Sequence, residues 1–313
     1  MASAFATSSG HAQTLTVYTA GPGSLSKRLA AGFQEKTGAK VDVFQATTGK
    51  VMARLEAEAS NPRADVLISA SWDTALDLDQ RGWLQPHHSA NAASVPAQFK
   101  SDNYVAQGIA ALGIIWNTGS GTPEPKDWSD LTAPAFKQQV TMPDPALSGA
   151  ALDLLLGLQQ ARKEEAWKLL ENLRDNGMTV SGPNAQALTP VLQGAKAAVF
   201  GGVDYVTYGN IAKGETVKVI FPSSGTVIAA RPMMILKSSR HAELAAKFID
   251  YVLSEEGQKA VADAWLMPAR ADVDARRPLF KELTVLPQAG SDSDSATLRG
   301  DTLKRFNTLF ERH

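Results

Sequence analysis

Residues 14–45 read TLTVYTAGPGSLSKRLAAGFQEKTGAKVDVFQ, and this stretch predicts a strand, a helix and a second strand. The first strand is the β-rich run TLTVYT, and the helix-periodic segment LSKRLAAGFQEKTG ends at Gly38. The β-rich pattern resumes in KVDVFQ. A strand, a helix and a strand in succession are typical of a βαβ unit with parallel strands.

The same alternation continues along the chain. A helix is predicted through KVMARLEAEAS, a third strand over ADVLISA, and a further helix over WDTALDLDQRG with Ser71 as its N-cap. Strand-like residues 104–116 then run into a stretch rich in Gly, Pro and Thr at 117–125, which indicates a crossing into a second lobe. A long β-rich segment near residue 228 can cross back.

We therefore predict an α/β protein of two lobes with a ligand cleft between them. The first lobe contains residues 14–115 and 228–313, and the second contains residues 116–227. Each lobe is expected to be a mainly parallel sheet flanked by helices. In open α/β sheets, ligands bind beyond the carboxyl ends of the strands, where helices begin.

Composition excludes several classes of function. The chain has 313 residues, which favours two compact units, and its net charge of −1 argues against a nucleic-acid partner. It contains no cysteine, so it has neither disulfides nor thiolate metal sites. No apolar run is long enough to span a bilayer. Residues 1–13 resemble a tag or the remnant of a signal peptide, which suggests export.

Small hydroxyl and glycine residues repeatedly stand where a strand ends and a helix begins. A helix N-terminus presents unpaired amides and a partial positive charge, so several of them at one cleft would bind an anion. Each could equally be an ordinary helix cap. The Ser148-Gly149-Ala150 turn is the strongest candidate, because it carries almost no side-chain bulk and Pro143 and Pro145 stiffen its approach. The candidates at such starts are Ser24, Thr47, Thr48, Ser71, Ser148, Gly149 and Ala150.

Further candidates could contact the rest of a solute. Trp72 could stack on it, and Asp73 could bind an amine or simply begin a helix. Asp204, Tyr205 and Tyr208 follow a Gly-Gly pair in a polar segment, where tyrosines can bind a ligand or pack. Arg231 lies between two apolar stretches, which makes it the most notable basic residue. Lys50 and Arg54 lie on the helix after Thr48-Gly49, and we interpret them as solvated surface charges.

Catalytic patterns are poor. The histidines are not spaced as a zinc site, and the chain has no P-loop, no G-x-G-x-x-G and no G-x-S-x-G pattern. Nothing in the sequence proposes a reaction, so we expect a binding protein without a cofactor or metal rather than an enzyme.

Several segments, in order, resemble one known group. They are LTVYTA, KTGAKVDVFQATTGKVMARLEAEA, NPRADVLISA, PKDWSDLTAP, DPALSGAA and RPMMILKSSRHAELAAKFIDYVLSEEGQKAV. The chain resembles type II periplasmic solute-binding proteins of ABC importers, in the branch that contains ferric-ion, 2-aminoethylphosphonate and hexose-phosphate binding proteins. The resemblance runs from Leu15 to about Ala271. It implies an exported, periplasmic monomer that closes about a hinge on its solute and docks on a membrane permease.

The resemblance also bears on the solute. Ferric binders use adjacent tyrosines at the position of 204–208, a histidine near Pro22 and a glutamate near Ala70, and most of these ligands are missing here. The turn at 148–150 corresponds to the one that holds the accompanying anion in ferric binders. We therefore expect an organic anion, most plausibly a phosphonate or a phosphate ester. The alternative is a ferric-ion-binding protein that uses Tyr205 and Tyr208 with a synergistic anion.

Overall fold

The structure is a computed structural model that describes residues 13–278, 283–287 and 295–311. All but the last of the 13 residues expected to be a tag or signal remnant lie outside the described part. The strands are β1 (Thr14–Thr19), β2 (Lys40–Gln45), β3 (Val66–Ile68), β4 (Leu84–Gln85), β5 (Tyr104–Asn117), β6 (Val140–Met142), β7 (Thr179–Val180), β8 (Ala198–Val203), β9 (Val217–Ile220), β10 (Ile228–Leu236) and β11 (Met267–Pro268). The helices are α1 (Gly23–Thr37), α2 (Thr48–Ala57), α3 (Trp72–Gln80), α4 (Gly149–Arg162), α5 (Glu164–Asp175), α6 (Asn184–Leu192), α7 (Asp204–Ile211), α8 (Ala242–Val252), α9 (Glu255–Asp263) and α10 (Ser295–Leu309).

The first βαβ unit forms as predicted. Strands β1 and β2 are parallel, with Thr14 opposite Lys40 and Thr19 opposite Gln45, and β3 adds a parallel strand on the other side of β1. Helix α1 buries Leu25, Leu29 and Phe33 at helical spacing. Gly38 ends the helix in the left-handed conformation with φ of 73°, which glycine adopts without steric cost.

Two long strands connect the halves of the sheet. Residues 104–111 of β5 pair antiparallel with β10, and from Leu112 onward β5 pairs antiparallel with β8 and β9 instead. The strand order is β2-β1-β3-β10-β5-β8-β6-β7, with β4, β9 and β11 paired to its central strands. The sheet is therefore mixed rather than mainly parallel: the βαβ units supply parallel pairs, and the connecting strands supply antiparallel ones.

The change of partner in β5 locates the connection between the halves. It lies at residues 111 and 112, whereas the predicted crossing at 117–125 lies beyond it, where Asn117 already pairs with β9. A β-strand, rather than a Gly- and Pro-rich loop, therefore makes the first connection. The division of the chain into two lobes stays a prediction.

The C-terminal helix α10 lies across both predicted lobes. It packs against α3 and α4, with Phe306 fully buried and Thr302 hydrogen-bonded to Gln159 of α4. Arg305 pairs with Glu164 and lies over the ring of Trp167, both of them on α5. The sequence assigned this helix to the first lobe; it contacts α3 of that predicted lobe as well as α4 and α5 of the second.

Candidate functional site

A cavity of about 320 Å³ opens where several helices begin. Its walls come from the starts of α2, α4, α6 and α7, the loop after β1, and Arg231 of β10. This arrangement matches the expected cleft at the carboxyl ends of strands. Seven of the predicted binding residues meet there: Thr47, Thr48, Ser148, Gly149, Ala150, Tyr205 and Arg231.

Arg231 supplies the positive charge of the cavity. The residue is 2% exposed, and the register of β10 against β5 shifts between Ala230 and Pro232, so Arg231 sits at a bulge that directs its side chain. Its Nη2 donates to the carbonyl oxygen of Ala20 at 2.7 Å. Among the described residues, no carboxylate forms an ion pair with Arg231, and its Nε has no hydrogen-bond partner. Burial lowers the pKa of the guanidinium, because the charged form is poorly solvated.

The start of α4 offers two free amides. Ser148 is the N-cap, and its hydroxyl accepts from the amide of Ala151 at 3.2 Å and from Nδ2 of Asn184 at 2.8 Å. The amide of Ser148 itself donates to the carbonyl oxygen of Asp144 at 2.8 Å. The predicted set of three amides is therefore reduced to those of Gly149 and Ala150, which have no acceptor within the described part of the chain.

Helix α2 begins on the opposite wall. The Thr47 hydroxyl accepts from the amide of Lys50 at 3.4 Å and caps the helix. The hydroxyl of Thr48 is buried and has no hydrogen-bond partner in the part of the chain that the structure describes. A buried polar atom without a partner costs free energy, and a ligand that reached Thr48 Oγ1 would offset that cost.

Close contacts around residue 149 also leave no room for a side chain there. A Cβ atom at this position would lie 2.8 Å from Cβ of Ser71 and 2.9 Å from Oγ1 of Thr48. Gly49 is equally tight against the carbonyl oxygen of Ala146. The helix starts of the two halves thus touch across the cavity, and only glycine fits between them.

Ser24 and the 71–73 segment do not reach the cavity. Ser24 is exposed on α1. Ser71 precedes α3 but does not cap it, because its hydroxyl donates to Oδ1 of Asp153. Trp72 packs edge-on against Tyr104, with ring centroids 5.1 Å apart. Asp73 is paired with Arg299 at 3.1 Å, and burial raises the pKa of its carboxyl to about 6.

Asp204 and Tyr208 also have internal roles. Asp204 forms a fully buried ion pair with Arg277 at 2.7 Å and accepts from the amide of Ala111 at 2.8 Å. The ring of Tyr208 lies 4.7 Å from the same guanidinium. Because Asp204 and Asp73 are held by arginines inside the protein, neither is placed to contact a solute in this cavity. Tyr205 does line it, with its ring 6.0 Å from the Arg231 guanidinium.

Asn184 is a cavity residue that the sequence analysis missed. It begins α6, its Nδ2 donates to Ser148, and its Oδ1 is buried without a hydrogen-bond partner among the described residues. The preceding Gly182-Pro183 pair marks a loop before a helix, the same signal that identified the other starts. No carboxylate lines the cavity in the described part of the chain.

The sequence pattern of the family described as bacterial extracellular solute-binding protein matches residues 61–288. The chain belongs to this family. The family provides the substrate-binding components of ABC transporters, which work with inner-membrane permeases, and its members are transport proteins rather than enzymes. No helix in the described residues of this solute-binding protein is both long and apolar enough to cross a bilayer.

Individual relatives agree with this assignment. The chain is 26% identical over 266 residues to the putative 2-aminoethylphosphonate-binding periplasmic protein of Salmonella typhimurium, covering 80% of this chain and 76% of the relative. Its fold matches that of the periplasmic binding protein AfuA from Actinobacillus pleuropneumoniae, solved with exogenous fructose-6-phosphate bound, with a TM-score of 0.88, 21% identity and coverage of 96% and 99%. Iron-bound HitA from Pseudomonas aeruginosa matches with a TM-score of 0.82 at 23% identity, covering 95% and 99%. These likenesses confirm the expected periplasmic binding protein fold.

Proposed function

We propose that this solute-binding protein captures a small organic anion, a phosphate ester or a phosphonate, by closure of its two halves, and delivers it to a membrane permease. The observation that carries the proposal is the buried Arg231, which lines the cavity without a carboxylate partner among the described residues. An unpaired buried cation is expensive, and an anion in the cavity would offset that cost.

The neighbouring donors suit a tetrahedral oxyanion. The amides of Gly149 and Ala150, the hydroxyl of Thr48 and Nε of Arg231 all lack partners in the described structure and belong to residues that line the same cavity. Charge-assisted hydrogen bonds from amides and a guanidinium are the usual means of holding phosphate oxygens. Together they can satisfy several oxygens of one phosphoryl or phosphonyl group.

The rest of the cavity suits a solute that carries neutral hydroxyl groups better than one that carries an ammonium group. The free Oδ1 of Asn184 is an acceptor for a hydroxyl, and the ring of Tyr205 offers an apolar face. An ammonium group would call for a carboxylate, and Asp73 and Asp204 are already paired elsewhere. This favours a phosphate ester with hydroxyl groups, of the kind bound to AfuA, over an aminoalkylphosphonate.

Ferric iron is the less favoured cargo. Tyr205 and Tyr208 do not converge, because Tyr208 lies against Arg277, and burial raises the pKa of its hydroxyl and so opposes a tyrosinate. Pro22 and Ala70, which stand where ferric binders have a histidine and a glutamate, both line the cavity and cannot bind a metal. The described residues contain no cluster of three histidine or acidic side chains that could hold one.

A thermal-shift screen followed by calorimetry tests the proposal. The probes are fructose 6-phosphate, 2-aminoethylphosphonate, inorganic phosphate and ferric citrate. A ligand at about 100 times its Kd adds roughly 2.7 kcal/mol to the unfolding free energy, a clear rise in Tm. We expect the largest rise with fructose 6-phosphate. A Tm that responds to none of the phosphorus compounds, or a visible tyrosinate-to-iron band with ferric citrate, would contradict the proposal.

A further inference from the structure

The start of helix α3 is bonded to helix α4. Its own N-cap residue, Ser71, makes no side-chain bond to the helix; instead its hydroxyl donates to Oδ1 of Asp153, in the second turn of α4. The amide of Trp72, the first residue of α3, is close enough to lower the pKa of the Asp153 carboxyl. A carboxyl oxygen at a helix N-terminus can accept hydrogen bonds from groups in its first turn. Here that group comes from the opposite side of the cavity.

The charged groups around this contact come from three helices. Asp73 of α3 is buried, and Oδ2 of Asp73 lies 3.1 Å from Nε of Arg299 on α10. Asp77, one turn along α3, adds a second negative charge near Asp73. Helix α10 is bonded to α4 through Thr302 and to α5 through Arg305, so Arg299 reaches α3 from the same side as Asp153. Two independent contacts thus join α3 to the α4 side.

We propose that Asp153 is a latch that holds the two halves of this protein closed by capping α3 across the cavity, and that it makes closure dependent on pH. The inference rests on the proposed hinge closure, because the contacts of Ser71 and Trp72 with Asp153 exist only while α3 and α4 are together. Gly149, one turn before Asp153, makes the close approach to Ser71 sterically possible.

The surroundings of Asp153 give the sign of the pH dependence. Its Oδ2 is shielded from solvent and has no hydrogen-bond partner among the described residues. Burial raises the pKa of Asp153 to about 8, with Asp73 adding to the rise, while Ser71 and Arg299 oppose it. In an open form the carboxyl group would return to the usual value of about 4. Closure therefore takes up a proton between about pH 4 and pH 8, and a higher pH favours opening.

The absence of cysteine makes a distance measurement straightforward. Lys50→Cys on α2 and Thr189→Cys on α6 place spin labels at exposed positions outside the binding machinery, on opposite sides of the cavity. Electron–electron double resonance then gives the fraction of closed molecules in the full chain, with and without inorganic phosphate. The pair of labels is introduced into four chains: the otherwise unchanged chain, Asp153→Asn, Asp153→Leu and Gln160→Ala. The last is a control on the exposed face of α4.

In the unchanged chain and the Gln160→Ala control, the closed-to-open ratio should fall at least tenfold from about pH 6 to about pH 9. Asp153→Asn keeps an acceptor for Ser71 but cannot ionise, so its ratio should stay constant. Asp153→Leu, which has no acceptor, should populate the longer distance at every pH. The proposal is overturned if Asp153→Asn retains the pH dependence, or if Asp153→Leu leaves the distances unchanged.

The outcomes separate the latch from the choice of solute. If no phosphorus compound binds but the label distances respond to Asp153 as expected, the latch stands and the proposed solute is wrong. If fructose 6-phosphate binds but the distances between the labels are the same in the Asp153 variants as in the unchanged chain, the proposed solute stands and the latch is wrong.

Discussion

Replacement of Arg231 by methionine should have opposite effects on stability and on anion binding. The side chain is 2% exposed, and its charge has no carboxylate partner in the described structure. Methionine fills a similar elongated volume without a charge. If Arg231 served only to stabilise the fold, its replacement would lower the unfolding free energy. A variant that is more stable but binds the anion less tightly would therefore indicate a binding role.

The magnitudes follow from burial and charge. Replacing a buried ionic group with an apolar one of similar volume stabilises proteins by roughly 1–4 kcal/mol. The lost hydrogen bond to the Ala20 carbonyl oxygen costs about 1 kcal/mol, so we expect a net gain of about 0–3 kcal/mol. For binding, a unit charge about 4 Å from the guanidinium contributes roughly 4 kcal/mol at an effective dielectric constant of 20. Allowing for residual amide contacts, the affinity for fructose 6-phosphate should fall at least about 100-fold.

Urea unfolding without ligand and calorimetry with fructose 6-phosphate measure the two effects. Lys50→Met is the matched control, since it removes the same charge from an exposed position on α2. The control should change neither quantity appreciably. A variant at Arg231 that is less stable yet binds the probe with unchanged affinity would refute the reasoning, because Arg231 would then be a structural residue only.

Three further predictions concern the surroundings of the cavity. Gly149→Ala places a Cβ within 2.9 Å of both Ser71 and Thr48, so we expect at least a tenfold loss of affinity by calorimetry with little change in the ligand-free Tm; undiminished affinity would argue against the tight approach. Asp204→Asn removes the carboxylate charge that pairs with the buried Arg277 and should lower the unfolding free energy in urea, while the folded fraction binds normally. Because the folded pKa of Asp153 is raised to about 8, its ionisation favours unfolding as pH rises from about 4 to about 8. Asp153→Asn should therefore match the unchanged chain in Tm near pH 4 and exceed it in stability near pH 8 by up to about 5 kcal/mol; equal Tm values at both pH values would contradict this.

The sequence determined the local units and most of the helix starts. The βαβ pattern at 14–45, the end of α1 at Gly38 and the cap at Ser148 all depend on neighbours within a few residues, so propensity and spacing were enough. The helix-start signals identified five residues that line the cavity, whereas Arg231 stood out because it lies between two apolar stretches. The resemblance to the family depended on the order of these units along the chain.

Tertiary structure alone decided which charges are available to a solute. Asp73 and Asp204 look free in the sequence, but Arg299 and Arg277, distant along the chain, neutralise them. Ser71 looks like the cap of α3, yet its hydroxyl donates to Asp153 on another helix. A sequence pattern reports a residue's own periodicity, whereas ion pairs and close approaches depend on which distant elements the fold brings together. For that reason the bare turn at Gly149 could be recognised from the sequence, but the helix start that presses against it could not.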